Sequence, residues 1–541
     1  MESANPGGLI ALALKRAGVS HLFTLNGAHI WSVLQGAAEN GIRVIDTRHE
    51  QSAAFAAEGW AKVTRECGVA AVTAGPGVTN AASALAQAQA GDTPMFVIGG
   101  RAPEARWGMG SLQEMDHVAL VKTITKHAAT LASAEEAYST AAESMRLAIS
   151  RRTGPVFVDV PLDTFFGAAD LPEATEHLTP DPGPRPDPDL IQRAAALIRQ
   201  AERPAVVAGG SIWWAHAEGE LKALVENAHL PLTVNGMARG TLPRGHPLNV
   251  SRARSASLGE ADLIVVIGAP LDFRLNWGQA PVFADDARLI FIDVDDTRKQ
   301  RKPEVGVYGD LKAALAALAD AVHGVHERTD WLEKLRDADA AARKRDEAMT
   351  QSDSSPVHPA RLIAEVDQFS DPDAILVGDG GDFVSFAGRL IERPKPGLWL
   401  DPGPFGCLGS GPGYAMAAKL ARPDKQVILL AGDGAFGFAA MEFDTMVRHK
   451  IPVVCVVGNN GIWGLEKHPM QSWLGVSVAT DLGPATRYDK VVEALGGYGE
   501  MIERPEEIRP ALERAFKSGL PACINVICDP GVEYPRSSVL M

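Results

Sequence analysis

The chain has 541 residues, of which 46% are hydrophobic and 22% charged, and a formal net charge of −15. An acidic chain of this kind lacks the basic surface that nucleic acid or an anionic membrane would bind, and no apolar run approaches the roughly 18 residues of a membrane span. Its five cysteines are scattered, so we expect reduced thiols in a cytoplasmic protein. At about 150 residues per domain, the length predicts three or four domains.

Two segments divide the chain. The stretch "DLPEATEHLTPDPGPRPDPD", residues 170–189, holds too many prolines for a helix or a strand and predicts a linker. A second boundary is expected within 349–362, after a long charged helical pattern. The predicted domains are therefore residues 1–170, 190–325 and 355–541.

Short apolar runs that end in glycine alternate with helical patterns along the whole chain. They are "GVAAVTAGPG" in the first block, "RPAVVAGG", "ADLIVVIGAP" and "ARLIFIDVD" in the second, and "KQVILLAGDG" and "IPVVCVVGNN" in the third. Continuous apolar strands between helices are typical of parallel sheets that are covered on both faces. The fold class is thus predicted as α/β, with three doubly wound parallel-sheet domains. The first and third blocks both place Gly-Pro-Gly before an alanine-rich helix, which hints at related folds.

The third block contains an acidic glycine turn. Gly432-Asp433-Gly434 follows a predicted strand and precedes a predicted helix with Ala439, Phe443, Met446 and Val447 on one face. The next buried strand is predicted over 451–457 and ends at Asn459-Asn460. Because the carboxyl ends of parallel strands share one edge, Asp433 and Asn460 are expected side by side.

Two interpretations of this turn are open. An aspartate with an amide oxygen suits Mg²⁺, and glycines let backbone N–H groups approach a diphosphate. Alternatively, "GDG" is only a strand-to-helix turn with an Asx cap. The Asn pair at the matching strand end favours the ligand site.

The stretch that opens with Gly-Asp-Gly and closes with Asn-Asn resembles the thiamine diphosphate motif. The resemblance implies that Asp433, the Asn460 side chain and the Ile462 carbonyl hold Mg²⁺. It also implies that the backbone at Gly432, Gly434 and Ala435 meets the diphosphate. Members of this superfamily have a pyrimidine-binding, a central Rossmann-like and a diphosphate-binding domain. Their active sites lie between subunits, so a homodimer or homotetramer is expected.

The first block carries matching segments. "DTRHEQSAAFAAEGWAKV" resembles the Arg-His-Glu segment of the family, which implies that Glu50 hydrogen-bonds the pyrimidine N1′; the alternative is a solvated glutamate at a helix start. Gly27 and Gly75, the latter in "TAGPGVTN", are implied near the pyrimidine. In the third block, "GPFGCLGSGPG" resembles the segment with the apolar wedge that bends the cofactor, and Leu408 stands at the wedge position.

Within the superfamily, two segments resemble the acyl-CoA members. "GDGAFGFAAMEFDTMVRHKIPV" and "IGAPLDFRLNWG" are similar to oxalyl-CoA decarboxylases and 2-hydroxyacyl-CoA lyases, and acetolactate synthases differ in the first of them. Gln113 in "GSLQEMDHVAL" favours the lyases, although it also reads as an ordinary polar loop residue. The central domain is then implied to hold a nucleotide, either the ADP part of CoA or a separate ADP.

The implied reaction is the cleavage of a 2-hydroxyacyl-CoA to formyl-CoA and a ketone or aldehyde through the thiamine diphosphate ylid. The resemblance is greatest to the bacterial lyases of short branched substrates such as 2-hydroxyisobutyryl-CoA, which releases acetone. His29, Gln113 and Glu493 are the candidates for proton transfer. Glu493 is alternatively a surface residue.

Substrate contacts are predicted for three further residues. Trp463 stands where the lyases and decarboxylases usually have tyrosine, at the position of the acyl group. Arg536 and Ser537 belong to a C-terminal tail that either closes over bound CoA or is a frayed terminus.

Other functions remain open at this point. They are an oxalyl-CoA decarboxylase, an acetolactate-synthase-like decarboxylase or carboligase, and a binding protein that keeps the fold without catalysis. The presence of Glu50, Asp433 and Asn460 argues against the last.

Overall fold

The computed structural model describes residues 3–172, 178–296 and 301–535. Over these residues the chain builds successive parallel sheets, each packed between helices. The predicted fold class is confirmed. None of the described helices is long and apolar enough to cross a membrane. All five cysteines lie in the described residues and are free thiols.

The first domain is built around a parallel sheet with strand order β3-β2-β4-β5-β7-β6. A short antiparallel pair, β1 with β8, joins its two ends. The elements are β1 Ser3–Ala4, α1 Pro6–Arg16, β2 His21–Thr24, α2 Trp31–Glu39, β3 Arg43–Asp46, α3 Glu50–Thr64, β4 Gly68–Val72, α4 Pro76–Ala90, β5 Met95–Arg101, α5 His117–Val121, β6 His127–Thr130, α6 Ala137–Ile149, β7 Pro155–Pro161 and β8 Ala169–Asp170.

The middle domain has a parallel sheet with strand order β10-β9-β11-β12-β13 and its own hydrophobic cores on the two faces. The described parts of the proline-rich linker form no helix or strand before Pro188. The elements are α7 Pro188–Gln200, β9 Pro204–Ala208, α8 Ser211–Trp214, α9 Glu218–Asn227, β10 Leu232–Val234, α10 Arg254–Gly259, β11 Leu263–Ile267, β12 Arg288–Asp293, β13 Val305–Tyr308, α11 Leu311–Ala321 and the connecting helix α12 Thr329–Thr350.

The third domain has a parallel sheet with strand order β15-β14-β16-β17-β19-β18. With the strands of each six-stranded sheet numbered in chain order, this order is 2-1-3-4-6-5, the same as in the first domain. The related folds suggested by the two Gly-Pro-Gly segments are therefore present. The elements are α13 Pro359–Phe369, β14 Ile375–Asp379, α14 Asp382–Leu390, β15 Trp399–Leu400, α15 Gly411–Ala421, β16 Val427–Gly432, α16 Asp433–Ala439, α17 Glu442–His449, β17 Val454–Asn459, α18 Gly464–Leu474, α19 Tyr488–Ala494, β18 Tyr498–Ile502, α20 Ile508–Ser518 and β19 Ala522–Ile527.

The first and third domains share one hydrophobic core, in which α3 packs on α15. The contact is reciprocal: a Cβ on Gly59 would lie 2.7 Å from the Tyr414 Cα, and a Cβ on Gly413 would lie 2.8 Å from the Phe55 Cβ. Each helix therefore needs a glycine opposite the aromatic residue of the other. Because α3 and α15 each follow the second strand of a six-stranded sheet, the two domains meet through equivalent elements.

Two predicted elements differ from the structure. The single helix expected after Gly434 is two helices, α16 and α17, which break at residues 440 and 441. Gly434 and Gly437 lower the helix propensity of the first, while Glu442 and Asp444 form an acidic first turn for the second. The strand expected over 451–457 is β17 and begins three residues later, since Pro452 has no N–H to donate to a sheet.

Candidate active site

Asp433 lies at the carboxyl edge of the third sheet, against the turn that follows β17. Its Oδ2 accepts a hydrogen bond from the Gly461 N–H at 2.8 Å, and its Oδ1 accepts from the Gly434 N–H at 2.9 Å. Strands β16 and β17 are in register, with Gly432 opposite Gly458, so both strands end at the same level. The spacing argument that placed Asp433 beside the Asn pair thus agrees with the structure.

Asn460 is held by a carboxylate that the sequence analysis did not single out. Its Nδ2 donates to Asp382 Oδ2 at 3.0 Å, and its Oδ1 accepts from the Ile462 N–H at 3.2 Å. Asp382 begins α14 and is 9% exposed. Because a carboxylate can only accept, the Asn460 amide nitrogen must face Asp382, which leaves the amide oxygen on the opposite side.

Three buried carboxyl groups lie at this edge and titrate abnormally. Burial raises the pKa of Asp433 to about 6, with a further increase from the neighbouring Asp382. Burial also raises the pKa of Asp382, and it raises the pKa of Asp379 to about 7. A buried acidic edge of this kind is more favourable when a cation neutralises it.

The oxygen donors at the edge suit a hard divalent cation. They are the Asp433 carboxylate and the Asn460 amide oxygen, with the backbone carbonyl of the buried Ile462 nearby in sequence. Within residues 3–172, 178–296 and 301–535, no three His, Cys, Asp or Glu side chains form a cluster that could bind a metal by themselves. One carboxylate with neutral oxygens and a diphosphate is, however, the kind of ligand set Mg²⁺ accepts.

Trp463 forms a wall beside the glycine turn. A Cβ on Gly434 would lie only 2.3 Å from Cζ3 of the indole, so the ring covers the backbone of this residue. The Phe438 ring meets the Trp463 ring edge to face at 6.4 Å between centroids, and Phe438 is 62% exposed. Ala435 is buried at the start of α16. Trp463 and Phe438 therefore line the open side of the turn.

Glu50 begins α3 at the carboxyl edge of the first sheet. It is 7% exposed, and its Oε2 accepts a hydrogen bond from Asn80 Nδ2 at 2.9 Å. The preceding residue, His49, caps the helix by accepting from the Gln51 N–H. The carboxylate is thus withdrawn from solvent and oriented by an amide of α4, which excludes the solvated-glutamate alternative.

A second cluster in the first domain joins several predicted residues. His29 Nδ1 lies 3.2 Å from the Thr73 hydroxyl, which in turn lies 3.5 Å from Gln113 Oε1. A Cβ on Gly27 would lie 2.5 Å from the Thr73 hydroxyl, and one on Gly75 would lie 3.0 Å from the Gln113 Cβ. Gln113 has a positive φ of 59° and lies in a turn, with its side chain beside Thr73 and Gly75.

A buried imidazole supports this cluster and was missed by the sequence analysis. The Gly75 N–H donates to His117 Nε2 at 2.8 Å, and His117 Nδ1 lies 3.0 Å from Asp159 Oδ2. His117 and Asp159 are both fully buried. No spacing in the sequence connects residues so far apart, so only the fold shows their contact.

Several predicted residues lie apart from these contacts. Glu493 is an exposed residue of α19 that pairs with Lys490 at 2.6 Å, and the buried acid of that helix is Asp489. Leu408 is half-buried in the loop between β15 and α15. Arg536 and Ser537 lie outside the described residues.

Models of one protein family match the three domains in order. Residues 5–120 match "Thiamine pyrophosphate enzyme, N-terminal TPP binding domain", residues 191–318 match its central domain, and residues 379–526 match its C-terminal TPP binding domain. Thiamine pyrophosphate is another name for thiamine diphosphate. The matched ranges contain Glu50 in the first domain and Asp433 and Asn460 in the last.

Relatives with two kinds of name match the chain over nearly its full length. The "Acetolactate synthase large subunit IlvG" of Mycobacterium tuberculosis and the "Probable acetolactate synthase" of Mycobacterium bovis are each 53% identical, over 100% of this chain and 98% of their own. The "2-hydroxyacyl-CoA lyase 2" of Bos taurus is 35% identical, over 96% of this chain and 89% of its own. Family models and full-length relatives agree with the geometry of the two sheet edges: the chain is a member of the thiamine diphosphate-dependent enzymes.

Proposed function

We propose that the chain is a carbon–carbon lyase that cleaves a short, branched 2-hydroxyacyl-CoA, such as 2-hydroxyisobutyryl-CoA, to formyl-CoA and a ketone or aldehyde. The name of the Bos taurus relative supports the reaction type. The main support for the acyl-CoA substrate is Arg254, which lies between the middle and third domains in surroundings that suit an anionic ligand such as CoA.

Arg254 is a half-buried cation that contacts a neutral group. Its Nη1 donates to Asn235 Oδ1 at 3.2 Å. Burial lowers the pKa of Arg254, the nearby Tyr534 offsets part of this, and Arg274 lowers the pKa again. Arg274 is already neutralised by Asp272 at 2.6 Å. A phosphate of CoA would give Arg254 the anionic partner that a desolvated guanidinium favours.

The last described residues of the chain lie against α14, and Tyr534 is near enough to Arg254 to raise its pKa. Tyr534 packs edge to face on Phe386 at 5.1 Å, and Arg389 donates to the Pro535 carbonyl at 3.5 Å. Phe386 lies four residues along α14 from Asp382, which is about 6 Å of helix rise. A CoA bound at Arg254 could therefore direct its thioester towards the carboxylate edge, with the predicted tail residues Arg536 and Ser537 beside it.

The first-domain cluster suits an uncharged acyl group. Burial lowers the pKa of His29, as does the neighbouring His117, and both effects favour the uncharged imidazole. Thr73 and Gln113 add a hydroxyl and an amide. Neutral groups of this kind can orient a thioester carbonyl and a 2-hydroxyl, and His29 can accept the hydroxyl proton.

The cofactor would be held by both sheet edges. Bound thiamine diphosphate supplies the carbon nucleophile and the electron sink. Asp433, Asn460 and the Ile462 carbonyl would hold Mg²⁺, and Glu50, oriented by Asn80, would hold the pyrimidine ring. Trp463 would bound the acyl group, and Gln113 would orient the substrate oxygens.

We also propose that two or four copies of the chain assemble, with each site between subunits. Large apolar side chains are exposed around both edges, which supports this. In the third domain they are Trp473, Leu474, Val476 and Val478; in the first they are Met109 and Leu112. Light scattering of the purified protein tests the proposal, and a monomer that turns over substrate would contradict it.

We further propose that the middle domain binds a separate ADP. A cavity of about 560 Å³ lies between the first domain and the carboxyl edge of the middle sheet, where Ser211, Val294 and Asp310 follow three of its strands. Nucleotides bind at this edge in other α/β sheets. Calorimetric titration with ADP tests it, with absence of binding as the contrary result.

An acetolactate synthase is the second candidate, because the Mycobacterium relatives at 53% identity carry that name. The two functions differ in substrate. The purified protein with thiamine diphosphate and Mg²⁺ should convert 2-hydroxyisobutyryl-CoA to acetone and formyl-CoA. Acetolactate from pyruvate, with no formyl-CoA from a panel of 2-hydroxyacyl-CoA thioesters, would replace the lyase by the second candidate.

Arg254 provides a sharper test. Arg254→Gln should raise KM for the acyl-CoA about tenfold or more with a small change in kcat, since one charge-assisted contact to a phosphate is lost. Arg288→Gln is the matched control, because Arg288 pairs with Glu304 at the opposite edge of the same sheet. Equal KM values for the two variants would contradict the proposed contact between Arg254 and CoA, on which the acyl-CoA assignment depends.

A further inference from the structure

We infer that Gln87 of the first domain and Asp379 of the third are positioning residues that fix the backbone on the two sides of Leu408. Through Leu408 they set the conformation in which the cofactor is held. The inference rests on the proposed cofactor site, and it takes the role of Leu408 as the apolar wedge from the resemblance of "GPFGCLGSGPG" to the family segment.

Gln87 fixes the peptide before Leu408. Its side chain is 1% exposed, and its Oε1 accepts a hydrogen bond from the Cys407 N–H at 2.8 Å. Its Nε2 donates to the Tyr414 hydroxyl at 2.8 Å and to Glu58 Oε2 at 3.3 Å. Both ends of the amide are committed, so its orientation is determined by its partners.

Asp379 fixes the peptides after Leu408. It ends β14, is fully buried, and accepts from the Gly409 N–H at 3.1 Å with Oδ1 and from the Gly411 N–H at 2.8 Å with Oδ2. A Cβ on Gly411 would lie 2.8 Å from this Oδ2, so only glycine allows the contact. The carboxylate of this strand residue therefore binds two N–H groups, one in the loop and one at the start of α15.

The loop is also fixed where it begins. Lys62 lies 3.1 Å from Glu58 and donates to the Asp401 carbonyl at 3.0 Å and to the Tyr414 hydroxyl at 2.8 Å. These groups belong to the buried network that holds Gln87. The loop from 401 to 411 is thus bound by side chains from both domains at its start and on both sides of Leu408.

The consequence is specific to Leu408. Its neighbours in the chain are bound by buried polar side chains, whereas its own side chain is only half-buried. The Cα position is therefore defined while the apolar side chain remains available to a ligand. A loop that only linked β15 to α15 would not need contacts from two domains at this residue.

The test uses the cofactor alone, so that it does not depend on the acyl-CoA assignment. Gln87→Met and Asp379→Asn each remove an acceptor while nearly conserving volume. Thr93→Val is the control, because Thr93 contacts Glu58 in the same network at 3.5 Å but does not touch the loop. For each protein one measures the Kd of thiamine diphosphate with Mg²⁺, proton–deuterium exchange at C2 of the bound cofactor, its circular dichroism, and the unfolding temperature without cofactor.

At saturating cofactor, we expect exchange to slow at least tenfold in Gln87→Met and Asp379→Asn, with an altered dichroism of the bound cofactor. Thr93→Val should keep the exchange rate of the parent. If all three variants only lower the unfolding temperature and exchange normally once saturated, the two residues are structural and the inference is wrong.

A double-mutant cycle keeps the inference testable if Asp379→Asn does not fold. Leu408→Ala should reproduce the exchange defect without changing the unfolding temperature of the cofactor-free protein. If Gln87 acts through Leu408, then Gln87→Met combined with Leu408→Ala should exchange at the rate of Leu408→Ala alone. Additive defects would show that Gln87 acts independently and would overturn the inference.

Discussion

The indole ring of Trp463 covers Gly434 so closely that a Cβ on the glycine would lie 2.3 Å from Cζ3 and 2.5 Å from Cη2. The glycine at the third position of the Gly-Asp-Gly turn is therefore required by a residue 29 positions later, in addition to any approach of a diphosphate. Trp463 and Gly434 form one surface, and a change in either should alter the other.

Gly434→Ala should displace the Trp463 ring, because the new methyl group occupies its place. We expect kcat/KM to fall at least tenfold, measured by steady-state kinetics. Gly437→Ala is the control in the same helix, since a Cβ there meets no atom within 4 Å. That variant should keep its activity and gain up to about 1 kcal/mol of stability. Adding Trp463→Leu to Gly434→Ala should restore the unfolding temperature, and failure to do so would show that the ring is not the cause.

Glu50→Gln should abolish turnover while the cofactor still binds. The glutamine can accept from Asn80 as the glutamate does, so the local fold is retained, but it cannot act as a carboxylate towards the pyrimidine. We expect at least a hundredfold loss of kcat and a Kd for thiamine diphosphate within a few-fold of the parent. Glu39→Gln, at the exposed end of α2, is the control. Normal turnover in Glu50→Gln would refute the role assigned to Glu50.

Asp379 should make the stability of the cofactor-free protein depend on pH. Its pKa is raised from 3.8 to about 7 by burial, so the folded state holds a proton that the unfolded state releases between these values. Stability from this group is fully present below pH 4 and is lost as the pH rises through 7. The free energy of unfolding in urea should therefore fall for the parent, relative to that of Asp379→Asn, as the pH rises from 5 to 8. A pH-independent difference would contradict the shifted pKa.

Gly59→Ala should weaken the contact between α3 and α15. The methyl group would lie 2.7 Å from the Tyr414 Cα, a backbone atom that leaves little room to relax. We expect a loss of about 1–3 kcal/mol in the free energy of unfolding, measured with urea. Gly219→Ala in α9 is the control, because its Cβ would meet open space. Equal stability of both variants would show that the helices can separate without cost.

The sequence predicted the sheets well because buried parallel strands are long apolar runs with sharp glycine ends. The same logic placed Asp433 at the level of Asn460, since one helix and one strand return the chain to the same edge. Glu493 shows where such reasoning is weak. Apolar residues flank it in sequence, but on α19 the buried positions are Asp489 and Val492, and Glu493 points to solvent.

The remaining contacts could not be predicted from sequence. Asp382 reaches Asn460 across 78 residues, and Gln87 reaches Cys407 across 320. Neither pair belongs to one helix face or one strand, so no periodicity connects them. The first hydrogen bond depends on how the elements of the third sheet are arranged and the second on how the first and third domains dock, which only the fold determines.

The reciprocal packing contact between α3 and α15 has an evolutionary consequence. The helix that Glu50 begins and the helix that follows Leu408 share one packing surface, so a substitution on one side selects a compensating change on the other. The two cofactor-binding halves are therefore expected to diverge slowly and together. The middle domain has separate cores and bears Arg254, so it can exchange one ligand for another without disturbing the catalytic pair. The part of a ligand that the middle domain holds can therefore change without a compensating change in the paired helices.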